Sequence, residues 1–173
     1  MGVDFTGLVL RPISKDDDLS NFDSASDDLN EFLKNDAIVY ENELVGKTYV
    51  CTAEEKIVGY MTLLVDSIKV EIMHDEDVVE EIKHRVYPAL KIGRLAVDKR
   101  YERKGIGTFL VMAAIGKARE LSKTVGCRFV IVDAKQNSID FYKRMLFKLM
   151  KKSTNRIYPT MYFDLFLRTK GGD

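Results

Sequence analysis

Apolar positions recur at two different periods in the first part of the chain. Leu8–Pro12 is a short apolar run ended by a proline, which predicts a first strand. Apolar side chains then repeat at helical spacing from Leu29 to Leu44, after Ser26 as a possible cap and before Gly46 as a stop, which predicts a helix. Two β-rich runs, at 47–52 and 56–65, follow and predict a hairpin.

The second part of the chain alternates between strand-like and helix-like patterns. An acidic stretch at 71–86 has apolar residues at helical spacing and predicts a short connecting helix. The further predictions are strands at 90–97, 128–132, 147–150 and 160–167, a helix at 105–121 that is apolar nearly all round, and a shorter helix at 137–146. This order predicts an α/β fold in which helices cover both faces of a mixed sheet.

Length and composition are those of one globular domain spanning residues 1–173. With 46% hydrophobic and 31% charged residues, the chain is excluded from the disordered and low-complexity classes. Cys51 and Cys127 lie far apart without metal-ligand spacing, so we expect buried free thiols. The longest apolar run, 109–115, is too short to cross a bilayer, and we expect a cytoplasmic protein with no membrane partner.

The formal net charge is zero, but the charges are unevenly distributed. Residues 1–90 contain 8 basic and 20 acidic side chains, a net charge of −12, and residues 91–173 contain 19 and 7, a net charge of +12. Solvated helix faces can produce such a difference. It also suits a protein whose second half receives an anion.

The most informative segment, 98–108, joins a predicted strand to a predicted helix through a basic, glycine-containing turn. Unpaired backbone N–H groups at a helix start bind phosphate, and Arg100, Arg103 and Lys104 add positive charge. The segment is neither a Walker loop nor a dinucleotide-binding fingerprint. The alternative is that Gly105 and Gly107 only let the helix pack closely on the sheet.

Residues 102–107, Glu-Arg-Lys-Gly-Ile-Gly, resemble the central motif Gln/Arg-x-x-Gly-x-Gly/Ala of the GNAT N-acetyltransferase family, with Glu102 departing from the pattern. The resemblance implies the GNAT acyl-CoA N-acyltransferase fold (α/β, or α+β by some schemes), a mixed twisted sheet of about seven strands with a cofactor-binding core at about 88–147. It also implies acetyl-CoA as cosubstrate and no metal. The amides of 103–108 would hold the diphosphate, and the backbone of Leu95 and Val97 would pair with the pantetheine arm.

Residues 137–147 are similar to the family's Phe-Tyr-x-x-x-Gly-Phe segment, with Leu146 in place of the glycine. The match implies that Tyr142 protonates the departing CoA thiolate, and it makes Asn137 a cofactor contact although the spacing is two residues shorter than usual. The alternative is a tyrosine that only covers the core. The predicted site residues are Tyr142 as catalytic acid and, as cofactor-binding residues, Leu95, Ala96, Val97, Arg103, Lys104, Gly105, Ile106, Gly107, Thr108 and Asn137.

The sequence identifies no general base and no metal site. Carboxylates that could approach from the acidic stretch are Glu71, Asp75, Glu76 and Glu80, and water is the alternative. His74 and His84 lack the spacing of a zinc motif, so a surface role is expected for both.

The first half resembles one branch of the family, the TacT-like toxins, through the apolar pattern of 22–37 and the segment Val-Gly-Tyr-Met-Thr-Leu at 58–63. Ser24 and Ala25 stand where Cys-Gly is common. This resemblance implies acetylation of the amino group of aminoacyl-tRNA and pairing with a ribbon-helix-helix antitoxin.

Three functions remain open at this point. The leading hypothesis is an N-acetyltransferase in which a primary amine attacks acetyl-CoA directly. The second is the tRNA-acetylating toxin, for which the electrostatic support is a set of basic residues after Tyr142: Lys143, Arg144, Lys148, Lys151, Lys152 and Arg156. The third is a non-catalytic acyl-CoA sensor or partner-binding module. The identity of the acceptor amine stays open, and the aromatic-rich strand at 158–163 could either pair across a homodimer or fill the core.

Overall fold

A computed structural model describes residues 5–82, 85–151, 153 and 156–166, which form a seven-stranded mixed sheet with helices. The strands are β1 (Leu8–Pro12), β2 (Lys47–Ala53), β3 (Lys56–Lys69), β4 (Val86–Val97), β5 (Phe129–Asp133), β6 (Lys148–Leu149) and β7 (Thr160–Asp164), in the order β1-β2-β3-β4-β5-β7-β6. The helices are α1 (Asp27–Glu31), α2 (Ala37–Asn42), α3 (Ile106–Leu121) and α4 (Ile139–Arg144). The predicted fold class is confirmed.

The chain divides into two compact units, each built from two separate segments. Unit 1 comprises Met1–Leu64 and Ile92–Ala114, and unit 2 comprises Val65–Lys91 and Ile115–Asp173. Unit 1 contains 10 basic and 15 acidic side chains, net −5, and unit 2 contains 17 and 12, net +5. Folding therefore reduces the charge difference seen along the sequence. The assignment of one domain stays a prediction.

In unit 1 the predicted amphipathic helix forms, but with a change of pitch. A π-helical turn (Phe32–Asp36) separates α1 from α2, and Leu33 and Ala37 are fully buried against Val50 and Tyr60. The apolar stripe ends earlier than predicted, because Leu44 follows α2 with φ +58° and is 92% exposed. The apolar face of the helix therefore packs against β2 and β3, as its periodicity predicted.

The predicted hairpin is confirmed. β2 and β3 pair antiparallel from Lys47 opposite Leu63 to Ala53 opposite Lys56, with a bulge at Cys51 and Thr52. The two connecting residues, Glu54 and Glu55, both have positive φ, of 48° and 64°. Such a turn matches the twist of the strands, although asparagine or glycine usually occupies it.

In unit 2 the predicted connecting helix at 71–86 is wrong. The segment contains two short 3-10 turns, Val70–Ile72 and Asp75–Asp77, and β4 already begins at Val86. Long-range hydrogen bonds hold its described part in this irregular conformation: Tyr162 Oη donates to Asp77 Oδ2 at 2.6 Å, and the backbone N–H of Lys151 donates to the carbonyl of Ile72 at 2.9 Å. These bonds provide partners that a local helix would not.

Strand β7 lies inside the sheet and pairs antiparallel with β5 on one side and β6 on the other. Its residues Met161 and Tyr162 are fully buried. The interpretation of this strand as a dimer edge is therefore wrong, because both of its hydrogen-bonding sides are occupied, and core filling is confirmed. The predicted strand end at Leu167 lies outside the described residues.

Two further expectations concern the thiols and the membrane. Cys51 and Cys127 are both free and buried, as predicted, and burial raises the pKa of the Cys51 thiol to about 11. Among the residues that the structure describes, no helix has the length and apolar character needed to cross a membrane.

Candidate active site

The predicted cofactor loop lies in unit 1, where strand β4 ends and helix α3 begins. A 3-10 turn (Lys99–Tyr101) follows the strand, and Gly105 precedes the helix with φ +85°. The N–H groups of the first helical turn have no partner within a helix, so the amides of Ile106, Gly107 and Thr108 are available to an anion. The backbone conformation at Gly105 is one that favours glycine.

A second glycine brings the loop close to its neighbours. A Cβ on Gly59 of β3 would lie 3.1 Å from the Ala96 carbonyl oxygen, 3.1 Å from Ile106 and 3.2 Å from Leu110. The missing side chain lets β3, the end of β4 and the first turn of α3 approach one another. Gly59 thus sets the position of the helix start, which the motif at 102–107 does not show by itself.

Asp98, directly after β4, is a buried polar residue that connects several segments of this region by hydrogen bonds. Its side chain has no exposed surface and accepts hydrogen bonds from the backbone N–H of Asp23 at 3.1 Å and of Arg100 at 3.0 Å. Its own N–H donates to the Val58 carbonyl at 2.9 Å. Asp98 therefore ties β3, the loop before α1 and the turn after β4 together. Sequence reasoning missed this role, since the partner Asp23 lies 75 residues away.

The expectation that Arg100 adds charge to the anion site is wrong. Its guanidinium binds Asp98 in a bidentate manner, with Nε 2.9 Å from Oδ1 and Nη2 2.7 Å from Oδ2, and also donates to the Asn21 carbonyl at 2.7 Å. This pair, with the backbone bonds, lowers the pKa of Asp98 to about 2. Arg100 is therefore held by a buried carboxylate rather than free for a ligand.

The loop before α1 is anchored by the same network. The Asp23 carboxylate accepts from Lys99 Nζ at 3.1 Å and from Asn30 Nδ2 at 3.1 Å, and Asn30 Oδ1 accepts from the Ser24 hydroxyl and N–H at 2.8 Å. Ser26 precedes α1, but its side chain makes no capping hydrogen bond. Ser26 thus occupies the N-cap position, as predicted, and its carbonyl accepts from the N–H groups of Leu29 and Asn30 at 3.1 Å, while the Asn30 side chain orders the loop.

The remaining unit 1 site residues lie along the strand end and the loop. Ala96 is buried against the helix core, whereas Leu95 and Val97 are half-buried. Arg103 and Lys104 are both exposed, and the Lys104 ammonium lies 5.1 Å from the centre of the Tyr101 ring. Unit 1 thus brings together the predicted cofactor residues from Leu95 to Thr108.

The predicted catalytic residue, Tyr142, lies in unit 2 on helix α4. Its side chain is 5% exposed, and its ring packs edge-on against Phe141 and Phe147 at 5.0 and 5.4 Å between centroids. Burial raises the pKa of Tyr142 well above its usual range. Its hydroxyl forms no hydrogen bond with the described residues and can therefore donate to a ligand. The raised pKa keeps the proton on the phenol.

The turn after α4 keeps the conformation that a glycine normally provides. Leu146 has φ +66° and is 66% exposed, and the N–H of Phe147 donates to the Tyr142 carbonyl at 3.0 Å. The turn therefore forms although Leu146 replaces the glycine of the family pattern. The leucine adopts the left-handed conformation at a cost of about 1 kcal/mol.

The segment between β5 and α4 contains Asn137, and the end of β5 carries Asp133, whose polar contacts were not predicted from the sequence. Asn137 is exposed in a 3-10 turn (Gln136–Ser138). Asp133, at the end of β5, accepts from the Thr160 hydroxyl at 2.6 Å and pairs with Lys91 at 2.7 Å. Despite its burial, these bonds lower the pKa of Asp133, so it is a poor proton acceptor.

The carboxylates considered as general bases are engaged elsewhere. Glu71 pairs with Arg85 at 2.9 Å, Asp75 with Lys151 at 2.7 Å, and Glu76 with Lys148 at 3.0 Å. Glu80 is exposed. A backbone hydrogen bond and Arg85 lower the pKa of Glu71, and Lys151 lowers the pKa of Asp75, so neither of these two carboxylates is suited to act as a base.

The same pairs reduce the positive charge predicted for an RNA surface. Lys148 also binds both oxygens of Asp77 at 2.9 Å, and Lys143 lies 3.9 Å from Asp140. Arg144 and Arg156 are exposed and form no ion pair within 4 Å of a described carboxylate, although the charge of Arg156 contributes to the lowered pKa of Asp133. Lys152 lies outside the described residues. The basic face is smaller than the sequence suggested.

The histidines do not form a metal site with described residues. His74 is half-buried, and its Nε2 lies 2.9 Å from the Leu149 carbonyl oxygen, so its role is structural rather than that of a solvated surface residue. His84 lies outside the described residues. Across the described ranges, no group of three or more His, Cys, Asp or Glu side chains could hold a metal ion.

Comparison with known protein families finds one model that covers most of the chain. The acetyltransferase (GNAT) family model matches residues 13–147. Among characterised proteins, the chain is 25% identical over 127 residues to a tRNA-acetylating toxin of Mycobacterium tuberculosis, a match that covers 72% of this chain and 74% of the relative.

Two solved structures share the fold over nearly the whole chain. One is AtaT complexed with acetyl-methionyl-tRNAfMet, which is 22% identical, has a TM-score of 0.83 and is matched over 91% of this chain and 94% of its own. The other is a tyrosine-to-phenylalanine variant of the AtaT toxin bound to the C-terminus of the antitoxin AtaR and acetyl-CoA, also 22% identical, with a TM-score of 0.75 and coverage of 91% and 93%.

Proposed function

The chain belongs to the acetyltransferase (GNAT) family, whose model it matches over residues 13–147, and we propose that the amine it acetylates is the α-amino group of an aminoacyl-tRNA. As a member of this family it is an enzyme that uses acetyl-CoA as acetyl donor for an amine. The choice of aminoacyl-tRNA as acceptor rests on the similarity to a tRNA-acetylating toxin.

Acetyl-CoA fits the loop described in unit 1. The amides of 103–108 offer N–H groups to the diphosphate, and Gly105 and Gly107 carry no side chain that would keep it away. The polar backbone of Leu95 and Val97 can bind the amides of the pantetheine arm as an added strand would. When bound, acetyl-CoA supplies an activated thioester.

Tyr142 acts as the proton donor to the leaving sulfur in this proposal. A phenol with a raised pKa keeps its proton at neutral pH, and the hydroxyl has no partner among the described residues that competes for it. Proton donation in the transition state is worth about 10² to 10⁴ in rate. Asn137, exposed before α4, is proposed as a weaker cofactor contact.

Water serves as the proton acceptor from the amine in this proposal. Glu71 and Asp75 of the acidic stretch are paired with Arg85 and Lys151 at 2.9 and 2.7 Å, and the pKa of each is lowered, which weakens both carboxylates as bases. An α-amino group on the carbon next to an ester carbonyl is also less basic than an alkyl amine. Orientation of the two reactants supplies the larger part of the rate.

The proposed partners follow those of the similar proteins. The AtaT structures include tRNA in one case and the antitoxin AtaR in another, and we propose that this chain acts in the cytoplasm and pairs with a ribbon-helix-helix antitoxin. Arg144 and Arg156 provide positive charge for the RNA backbone. A homodimer stays a prediction.

The direct test is acetyl transfer to tRNA. Purified protein is incubated with labelled acetyl-CoA and charged total tRNA, and acetylated aminoacyl groups are identified by mass spectrometry after release from the RNA. We expect label on charged tRNA, none on the same tRNA after deacylation, and a loss of at least about a hundredfold in rate with Tyr142→Phe.

A panel of small amines and protein lysates separates the alternatives. Acetylation of small amines without acetylation of charged tRNA would reject the proposed acceptor while leaving the enzyme class intact. If the protein binds acetyl-CoA but releases no CoA thiol in the presence of any of these acceptors, the acyl-CoA sensor would be favoured. Growth arrest on expression that depends on Tyr142 and is relieved by a co-encoded ribbon-helix-helix protein would support the toxin.

A further inference from the structure

Strand β6 lies at one end of the strand order, but its outer side is not open. It pairs antiparallel with β7, with Leu149 opposite Met161, and the N–H of Met150 donates to the Thr160 carbonyl at 3.0 Å. Backbone groups of successive residues alternate in direction along an antiparallel strand, so those of Leu149 and Lys151 point away from β7. Such outward groups are the place where another strand can add to a sheet.

The segment at 70–79, called the strap below, provides partners for two of these groups. The carbonyl of Ile72 accepts from the N–H of Lys151 at 2.9 Å, and Nε2 of His74 lies 2.9 Å from the carbonyl oxygen of Leu149. A carbonyl oxygen only accepts, so Nε2 is the donor of this second bond. Residue numbers rise along the strap as they fall along β6, which is the order of an antiparallel pair. The strap thus occupies the position of a further strand.

The strap follows β6 without forming a regular strand, because its polar groups bind elsewhere. The N–H of His74 donates to Tyr162 Oη at 3.1 Å, and that hydroxyl donates to Asp77 Oδ2 at 2.6 Å. The Asp77 side chain is 11% exposed and also accepts from Lys148 Nζ at 2.9 Å. Met73 is fully buried between these polar contacts. One apolar side chain and one nearly buried carboxylate therefore anchor the strap.

The strap also changes how the edge is protected. Lysines on an edge strand discourage the addition of another strand by their charge. Here Lys148 is paired with Asp77, and Lys151 Nζ lies 2.7 Å from Asp75. These lysines are therefore neutralised, and the strap itself covers the edge. Strand β1, at the other end of the strand order, ends in Pro12, which has no N–H to offer.

We propose that the strap covers the outer edge of β6 and prevents this edge from pairing with β6 of a second copy of the chain, and that Asp77 holds the cover in place. Two copies of β6 offer each other the same alternating donors and acceptors, so they can form a symmetric antiparallel pair. The role is independent of acetyl transfer. It is therefore tested by association and hydrogen exchange rather than by activity.

The first test removes the anchor. Asp77→Ala takes away the acceptor of Tyr162 Oη and of Lys148 Nζ, so we expect the Lys151 amide to exchange with solvent at least about tenfold faster, as measured by NMR. We also expect self-association between about 1 and 100 µM, beyond that of wild type, in analytical ultracentrifugation. Unchanged exchange would overturn the anchoring role of Asp77. Faster exchange without added association would overturn the cover.

The second test uncovers the edge while the anchor stays. His74→Ala removes the ring donor to Leu149 and keeps the bond between Tyr162 and Asp77, so it also serves if Asp77→Ala does not fold. We expect added self-association here too. His74→Gln is the matched control, because its amide can donate to the same carbonyl, and it should behave as wild type. Equal association in the two variants would overturn the role of this hydrogen bond in the cover.

A third variant identifies the edge itself. Leu149 points its backbone away from β7, so Leu149→Pro removes no bond to β7 but takes an N–H from the outer edge. In the double variant Asp77→Ala/Leu149→Pro we expect the added association to disappear while the Lys151 amide still exchanges fast. Association that persists would show pairing at another surface and overturn the proposal. Glu76→Gln, which breaks an exposed pair with Lys148, should change neither measurement.

Discussion

The loop before α3 in unit 1 and the helix α4 in unit 2 carry the two parts of the proposed chemistry, and they are built in different ways. The loop presents backbone N–H groups and exposed cations, and its shape depends on Gly105 and on the buried carboxylate of Asp98. Helix α4 presents one hydroxyl, that of Tyr142, inside an aromatic cluster.

The difference shows how mutations at the two places should act. A backbone site depends on conformation, so it tolerates many side chains but few changes of φ. A side-chain site depends on one functional group and on the packing that holds it. We therefore expect changes in the loop to alter the affinity for the cofactor and changes at Tyr142 to alter the rate.

Tyr142→Phe should have the largest effect. It removes the hydroxyl and keeps the ring packing against Phe147, so we expect kcat to fall at least about a hundredfold while the Kd for acetyl-CoA changes less than about threefold. Thiol release and calorimetry measure the two quantities. A kcat within about threefold of wild type would show that Tyr142 is not the acid.

Asp98→Asn should lower stability in a pH-dependent way. The pKa of Asp98 is lowered to about 2, so the native state favours the carboxylate, and its contribution is present above the unfolded pKa and lost as the pH falls towards 2. We expect about 2 kcal/mol of unfolding free energy to depend on this group. Urea titrations between pH 5 and pH 2 should show a steeper loss for wild type than for Asp98→Asn.

The control for Asp98 is an exposed pair of the same type. Glu71→Gln breaks the exposed pair with Arg85 in unit 2, and we expect no measurable change in the unfolding free energy. If Asp98→Asn and Glu71→Gln lose the same free energy, the buried network around Asp98 is not a special support of the loop.

Gly105→Ala should affect binding more than chemistry. At φ +85° an added Cβ is strained, so the loop must shift, and we expect the Kd for acetyl-CoA to rise about tenfold with kcat nearly unchanged. Calorimetry and saturation kinetics measure the two. A drop in kcat at saturating acetyl-CoA would contradict the division between loop and helix.

Leu146→Gly should have the smallest effect and the opposite sign. It relieves the left-handed leucine after α4, so we expect a gain of about 0.5 kcal/mol in unfolding free energy and unchanged kinetics. A loss of activity with a gain of stability would instead show that the exposed leucine takes part in acceptor binding. Chemical denaturation and tRNA acetylation report the two outcomes.

Local patterns predicted the regular elements well. Strand β1, the hairpin of β2 and β3, and helix α3 lie where alternation and helical spacing placed them, since apolar periodicity reports directly which face is buried. The helix predicted at 71–86 was wrong because Ile72 and Val78 pack against the buried cluster around Phe129 and Tyr162 from an irregular segment with two 3-10 turns. Its polar groups find partners in Tyr162 and Lys151.

The sequence by itself determined the family, the loop at 102–107 and the positions of Tyr142 and Gly105, because these depend on residues close together in the chain. Only the tertiary structure decided which charges are free. It pairs Arg100 with Asp98, Asp98 with the Asp23 backbone, and Lys148 with Asp77, over separations of up to 75 residues. A charge has no fixed partner until the fold brings one within hydrogen-bond distance. The fold also groups the charges differently from the sequence: residues 1–90 and 91–173 carry −12 and +12, whereas the two compact units carry −5 and +5.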